Sequence, residues 1–473
     1  MLLSTVFFHP PFLDNFSPFL LSSTSNLLAV AGGAEGGHET KTLAVAIALM
    51  TICVFLVAQV FGELAARIGL PAVLGELIAG LVIGVSGAKL LILGNGDQVA
   101  PWAVAAVQLF SGSDAATVQE IFRGPIKILI NDYAATGVGV LLFKIGLEAD
   151  LKELIKVGPQ AATVAIAGVV LPMVGGFIGL TSVFHLSTIP ALFAAAALTA
   201  TSIGITSRIM QDMDVLNTKE GQIILGAAVL DDILGIAILA VAIGIAEHGT
   251  LEISSVLSTI ISATVFVGAA IVLNKTFGPW YVNFLRKLKN PYSVLIGAIV
   301  FLSAMAMISH AIGLEEILGC FAAGIILSDT QETHALEKAC DPLVALFATV
   351  FFVTIGAKTD LTVLNLANPE SQEGLVIAAF LIVVAIAGKL AAGYCLFTKD
   401  SVNRLAIGTG MIPRGEVGLV FAGLGAAAGA VTGALNVAIV LMVIVTTFVA
   451  PPMLRWVFAK QTKVSRNKPT EVN

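Results

Sequence analysis

The sequence predicts an all-α polytopic membrane protein, with about 13 transmembrane helices arranged as two related halves. Composition, the spacing of apolar segments and an internal repeat predict it. Of 473 residues, 57% are hydrophobic and only 12% charged, with a mean hydropathy of +0.96. A water-soluble domain of that make-up would expose far too much apolar surface. Apolar segments fall at 42–66, 70–94, 133–149, 159–183, 188–210, 220–247, 251–277, 291–312, 314–329, 340–357, 372–397, 402–429 and 433–458. Several lie near the short end of the ~17–25 residues a crossing needs. Pro, Gly, Asn and short charged clusters punctuate the gaps.

Ahead of the first segment, residues 1–41 read as an N-terminal leader. Met1 to Ala31 is apolar but broken by Pro10, Pro11 and Pro18, and it lacks a basic n-region. Ala29-Val30-Ala31 would suit signal cleavage, but the missing charge favours a retained, interfacial leader. The stretch 95–132 reads as a long external loop. From Lys463 onward the tail is polar and short, with no room for a cytosolic regulatory domain. The net charge of −6 carries little information, because in membranes the placement of Lys and Arg matters more. With thirteen crossings, seventeen of the Lys and Arg residues fall on the C-terminal side and five on the N-terminal side. That bias puts the C-terminus in the cytoplasm and the N-terminus outside. Lys144, Lys389 and Arg414 are left inside helices. Cys53, Cys320, Cys340 and Cys395 have no paired spacing and read as small core residues, with neither a disulfide framework nor a metal site signalled.

Gly69-Leu70-Pro71-Ala72-Val73-Leu74-Gly75, continuing through Glu76 to Gly80, returns as Gly313-Leu314-Glu315-Glu316-Ile317-Leu318-Gly319, continuing to Gly324. Ile145-Gly146 and Asp150-Leu151 return as Ile355-Gly356 and Asp360-Leu361. The first echo is offset by 244 residues and the second by 210, because the 95–132 stretch has no counterpart in the second half. Segments 1–6 and 8–13 therefore form two related six-helix units. An even unit returns to its starting side and segment 7 crosses once, so the repeats are inverted, the pattern of secondary transporters. The shorter offset aligns Ser202 with Ile412. Pro413 removes a backbone donor beside Gly408, Gly410 and Gly415, so segment 12 should be broken mid-membrane. By symmetry segment 5 should break too, in the hydroxyl-rich run Thr199-Ala200-Thr201-Ser202-Ile203-Gly204-Ile205-Thr206. Broken helices offer opposed carbonyl and amide ends that coordinate a cation or offset charge. Hydroxyl-rich packing is the plainer reading of segment 5.

The charges break the symmetry. Asp231 and Asp232 are adjacent within the apolar run Gly221 to Glu247. A mid-membrane charge costs ~2.5–3.5 kcal/mol on insertion scales, so two adjacent acids mark function more than packing. Lys389 sits midway along 372–397. A buried lysine without an acid sheds its proton, and two buried acids share one, so pairing Lys389 with the aspartates satisfies both and couples their titration. Adjacent helix positions point ~100° apart, so one aspartate can face Lys389 while the other faces a water-filled cavity. Snorkelling to an interface is the alternative for Lys389.

The Asp231-Asp232 pair, Lys389, the Gly-Leu-Pro…Leu-Gly-Glu run ending in Glu76, and Pro413-Arg414-Gly415-Glu416 resemble the monovalent cation:proton antiporter-2 family. These are sodium/proton antiporters with an adjacent-aspartate motif, and the resemblance covers about residues 42–458, closest to cyanobacterial members. It implies the sodium/proton antiporter fold and a homodimer. Scaffold and dimer helices would be 42–150 and 291–365, with the moving core at 159–247 and 370–458. Helix 7 and a cytoplasmic loop (251–290) link the halves, and 459–473 is a cytoplasmic tail. In the family the residue matching Asp232 binds the ion and the one matching Asp231 pairs with the lysine, while Thr201 and Ser202 occupy the crossing. The implied activity is electrogenic exchange of Na⁺, or K⁺ or Li⁺, for H⁺ at a site where cation and proton compete. Membrane lipid is the surrounding partner, in a bacterial inner membrane or a thylakoid. No cofactor, no nucleic acid and no enzymatic activity is expected.

Glu76 and Arg414 are both intramembrane and are expected to pair across the core–scaffold boundary. Glu416 faces helix 13 or the cytoplasmic funnel. Lys144 and Glu148, one turn apart, read as a local pair, and His310 as a structural or interfacial histidine. Three rival classes remain in view. An intramembrane aspartyl protease needs carboxylates converging from two helices, whereas these are adjacent on one. A sodium-coupled organic solute symporter on the same fold would need a roomier pocket and leaves Lys389 without a task. An ion channel leaves the inverted repeat unexplained.

Overall fold

The structure, a computed structural model, describes residues 36–93, 98–248, 253–290, 292–359, 361, 369–397, 402–415, 418, 421, 425, 431 and 433–466. The leader through residue 35, Asp360, Glu416 and the tail beyond Arg466 lie outside them. Among the described residues, regular structure is entirely helical. In chain order the helices are α1 (Gly36–Arg67), α2 (Ala72–Ile83), α3 (Pro101–Ser111), α4 (Ala115–Ile121), α5 (Lys127–Glu148), α6 (Leu151–Lys156), α7 (Gly158–Ser182), α8 (Thr188–Ala197) and α9 (Ile203–Asp212). They continue as α10 (Lys219–His248), α11 (Ile253–Arg286), α12 (Ser293–Ala311), α13 (Glu316–Leu327), α14 (Thr333–Leu343), α15 (Thr349–Ala357), α16 (Pro369–Tyr394), α17 (Arg404–Gly410) and α18 (Gly433–Arg466).

Nine helices among the described residues are long and apolar enough to cross a membrane. The other four expected spans are short or interrupted. Segments 70–94 and 314–329 become α2 and α13, 12 residues each, or about 18 Å at 1.5 Å per residue. Segment 188–210 divides into α8 and α9, and in segment 402–429 the helix α17 ends at Gly410, with Gly418, Phe421 and Gly425 helical again beyond the break. The chain is a multi-pass integral membrane protein.

Three boundaries differ from expectation. The stretch 95–132 is not a loop but holds α3, α4 and the first turn of α5. Asp114 starts α4 by accepting from the amides of Ala116 at 3.0 Å and Thr117 at 3.2 Å, satisfying donors that a helix start leaves open. A wide π turn, Phe122–Ile126, then carries α4 into α5 around Pro125, where a proline cannot supply the regular helical bond. A second π turn, Val344–Ala348, joins α14 to α15. The last helix runs on to Arg466, so the expected tail begins as helix.

The repeat is visible as repeated geometry. α1 ends with Gly69 at φ 79°, its amide bonded to the Ala66 carbonyl and that of Leu70 to Ala65. α12 is followed by Gly313 at φ 79°, with Gly313 bonded to His310 and Leu314 to Ser309. Both are the left-handed helix stop that glycine accommodates without a steric penalty. Past each turn, Gly75 and Gly319 press on the backbone of the preceding long helix, where a Cβ would come within 2.1 Å of the Phe61 carbonyl and 2.3 Å of the Met305 carbonyl. The halves then exchange partners: α2 packs on α15, and α13 on α5. At those contacts Gly80 meets Gly356 and Gly146 meets Gly324 backbone to backbone. Small residues let helices approach this closely where lipid offers no hydrophobic drive to associate. The glycines picked out by both sequence offsets thus meet crosswise. α7 packs on α10 and α16, and α16 on α18, around α8, whose Phe193 to Ala197 are fully buried.

Candidate functional site

α10 carries both aspartates. Asp231 is fully buried and Asp232 half-buried, so the angular offset between neighbours separates a shielded acid from an accessible one. Lys389, on α16, is also fully buried, and its Nζ donates to Asp231 Oδ2 at 3.0 Å. Gly168 of α7 lies against the ammonium, where a Cβ would stand 3.3 Å from Nζ. Among the described residues, Asp231 Oδ1 accepts no hydrogen bond. The pair is therefore a desolvated ion pair whose carboxylate has one direct donor.

Beside it, segments 5 and 12 cross as broken chains. Ser202 donates its amide to the Pro413 carbonyl at 2.8 Å. Thr201 Oγ1 donates to the Met411 carbonyl at 3.1 Å, a separation of 210 residues. Positions equivalent under the repeat thus touch, as they should at a two-fold crossing. Thr206 Oγ1 donates to the Gly410 carbonyl at 2.9 Å. Each break leaves carbonyls without helical partners; hydroxyls of segment 5 answer those of segment 12. Segment 5 breaks without a proline because the opposite chain takes its polar groups. Gly415 lies where a Cβ would come within 2.8 Å of Ser202 Oγ.

Arg414 and Glu76 are not joined by an ion pair. Arg414 is fully buried, and its Nη1 donates to the carbonyls of Ala200 at 2.7 Å and Thr199 at 3.4 Å. Those carbonyls follow α8, where the negative end of the helix dipole favours a cation. Arg414 also acts through space on Asp231. Glu76 Oε1 instead accepts from Thr349 Oγ1 at 2.9 Å, and the charged groups acting on it are Arg208 and Asp212 of α9. The reading failed because it sought a carboxylate for Arg414, when backbone carbonyls and the Asp231 field supply the negative charge.

Lys144 and Glu148 do form an i,i+4 pair at 3.4 Å, but Lys144 is closer to Asp341, at 2.5 Å. Glu148 receives Gln211 Nε2 on both oxygens at 3.0 Å. His310 lies 3.5 Å from Glu316. All four cysteines are free thiols. Sequence reasoning missed Thr447, whose hydroxyl donates to the Arg414 carbonyl. The signal was there: Thr446-Thr447 is a polar pair in an otherwise apolar stretch of α18.

Two cavities meet at this site. A small one of about 20 Å³ is lined by Asp232, Thr201, Ser202 and Gly204 among others. A wide one of about 640 Å³ runs past Asn131, Thr354, Lys358, Arg414 and Thr447. An acid pair with its lysine, set where two interrupted helices cross in a two-fold repeated bundle, defines a transporter of the inverted-repeat class.

Residues 46–460 match the family described as sodium/hydrogen exchanger, transmembrane, and the chain belongs to that family. It is 48% identical over 433 residues to the high-affinity Na(+)/H(+) antiporter NhaS3 of Synechocystis sp., covering 91% of this chain and 94% of the relative. It is 32% identical over 418 residues to the Na(+)/H(+)-K(+) antiporter GerN of Bacillus cereus, covering 87% and 96%. The structure of the sodium proton antiporter MjNhaP1 from Methanocaldococcus jannaschii at pH 8 superposes with a TM-score of 0.57 at 15% identity, over 89% of this chain and 99% of that one. At that identity the likeness is one of fold. The resemblance read from the motifs, including its cyanobacterial leaning, agrees with these matches.

Proposed function

We propose that this protein exchanges Na⁺ for H⁺ across its membrane, with Asp232 as the shared acceptor. The observation that carries the reading is the division of labour in the aspartate pair: Asp231 is sealed against Lys389, while Asp232 opens on the small cavity with Thr201 and Ser202. That cavity, about 20 Å³, has room for roughly one water, so a cation reaches Asp232 largely stripped of its shell. Carboxylate and hydroxyl oxygens replace the lost waters. A carboxylate that must lose its proton before it takes a cation couples the two fluxes by competition.

The remaining parts follow the same logic. Helices of 42–150 and 291–365 serve as scaffold and homodimer surface, and 159–247 with 370–458 move as the core. The C-terminus faces the cytoplasm, and the wide cavity opens on the opposite face. When the cation arrives, its charge and the dry surroundings favour loss of the Lys389 proton as well. More than one proton then leaves per cation, which makes the exchange electrogenic. Carriage of K⁺ is a second reading, favoured by the Na(+)/H(+)-K(+) name of the 32%-identical relative.

The test is dequenching of a pH-sensitive dye in proteoliposomes, titrated with Na⁺, K⁺ and Li⁺. Wild type should respond to Na⁺, and Asp232→Asn should abolish the response while the protein elutes and melts as wild type. Undiminished Na⁺-driven proton movement in Asp232→Asn would refute the assignment.

A further inference from the structure

Between the wide cavity and the small one lies a shared wall. Five residues line both: Val138, Glu315, Ile317, Phe351 and Gly415. Among these five, Glu315 alone has a polar side chain, so its carboxylate is the one side-chain ligand that these shared residues can offer a passing ion. The residue is firmly placed. It caps the start of α13 in extended backbone, at φ −67° and ψ 140°. Its carbonyl accepts from Ser309 Oγ at 2.7 Å and from the Leu318 amide at 3.1 Å. The turn before it is set by the left-handed Gly313.

We propose that Glu315 is a cation-loading carboxylate, which holds the incoming ion as it sheds water between the wide cavity and Asp232. Two physical arguments support the role. The space on the two sides of this wall falls from about 640 Å³ to about 20 Å³, so an ion that crosses it sheds most of its hydration shell, and a ligand of opposite charge there offsets much of the desolvation cost. The second argument is the sign of the field. The wide cavity is lined by Arg414 and Lys358, which repel a cation, and by Glu315 and Glu316, which offset them. Among the described residues, Arg414 Nε and Nη2 have no hydrogen-bond acceptor, so the carbonyls of Thr199 and Ala200 on Nη1 and the field of Asp231 answer only part of that guanidinium. Glu316 lines only the wide cavity, whereas Glu315 also reaches the small one.

Glu315 and Asp232 belong to different moving parts under the functional reading above, on which this proposal rests. α13 packs on α5 and α12, while Asp232 rides on α10. The carboxylate therefore serves the ion only from the face onto which the wide cavity opens. This sidedness separates a loading role from a structural one.

The experiment measures the KM for Na⁺ from each face, in right-side-out and inside-out vesicles. Glu315→Gln should raise the KM on the cavity face roughly tenfold, the scale of one charge–charge contact in a partly screened site. The maximal rate at saturating Na⁺ and the KM on the opposite face should stay at wild-type values. Glu315→Asp should recover most of the loss, and Glu316→Gln should shift the KM far less. An unchanged KM in Glu315→Gln, an equal rise on both faces, or an equal effect of Glu316→Gln would overturn the proposal. A wild type that moves protons with K⁺ and not Na⁺ fails the sodium reading alone, and the same comparison is then made with K⁺. A wild type that answers no monovalent cation overturns both.

Discussion

Removing Lys389 or Asp231 singly should damage the protein far more than removing both. Each side chain is fully buried and the contact is 3.0 Å. An exposed ion pair is worth about 0–1 kcal/mol, but truncating one member of a buried pair strands a charge at a cost of about 3–5 kcal/mol. Burial decides between these regimes, and here it is complete. The structure also ranks the single variants. In Lys389→Gln, Asp231 still feels Arg414, which places the loss toward the lower end of that range. In Asp231→Asn, Lys389 is left with Arg414 as a like charge nearby, and the half-buried Asp232 is the remaining acid of the pair. The double variant Asp231→Asn/Lys389→Gln leaves two neutral amides that hydrogen-bond, and should recover at least about 2 kcal/mol of the summed losses. The assay is thermal denaturation of purified protein in one detergent, following the fraction that remains monodisperse, with transport recorded in parallel. The double variant should approach wild-type melting yet stay altered in transport. Strictly additive losses would show that the contact contributes nothing, and that Lys389 and Asp231 are each held by other groups.

Two further outcomes follow from the geometry. Wild-type exchange should generate current on a solid-supported membrane after a Na⁺ jump, with a reversal potential above one proton per cation; a potential of 100 mV acts on each net charge with ~2.3 kcal/mol. A one-to-one reversal, or an unchanged ratio in Lys389→Gln, would refute the role given to the lysine. At the crosswise contacts, Gly80→Ala would place a Cβ 2.0 Å from the Val353 carbonyl, costing at least about 1–3 kcal/mol of overpacking strain. Gly268→Ala, which meets nothing within 4 Å on α11, should instead hold stability or raise it by about 0.5–1 kcal/mol. Melting temperatures of the two variants decide it, and equal effects would sink the contact argument.

How far the chain could be read in advance depended on whether a feature was written in side chains. Apolar runs mark spans because hydropathy is local, and each of the thirteen segments contains helix in its described part. The repeat is legible because glycine at a close helix contact leaves a residue-type signature: Gly80, Gly146, Gly324 and Gly356 align by offset and meet in the packed bundle. Offset also anticipated the crossing of segments 5 and 12, including a break that no proline marks. The long stretch 95–132 was misread as loop because its polar residues mask two short helices and an early start to α5, where an Asp114 cap and a π turn around Pro125 do the work.

By itself the sequence determined the membrane class, the two-fold plan, the adjacent acids and their lysine, since a charge in hydrocarbon is too costly to be incidental. Tertiary structure alone decided who answers whom. Arg414 turned to backbone carbonyls, which every residue carries and no residue type announces. Glu76 found Thr349, and Lys144 found Asp341, across separations that no local spacing encodes. The place of Glu315 on the wall between two cavities was equally invisible, because a cavity is a property of the space between helices. Local free energies are written along the chain, whereas the partners of buried charges are settled by a global minimum over the whole bundle, so beyond Asp231 and Lys389 only the packed molecule states them.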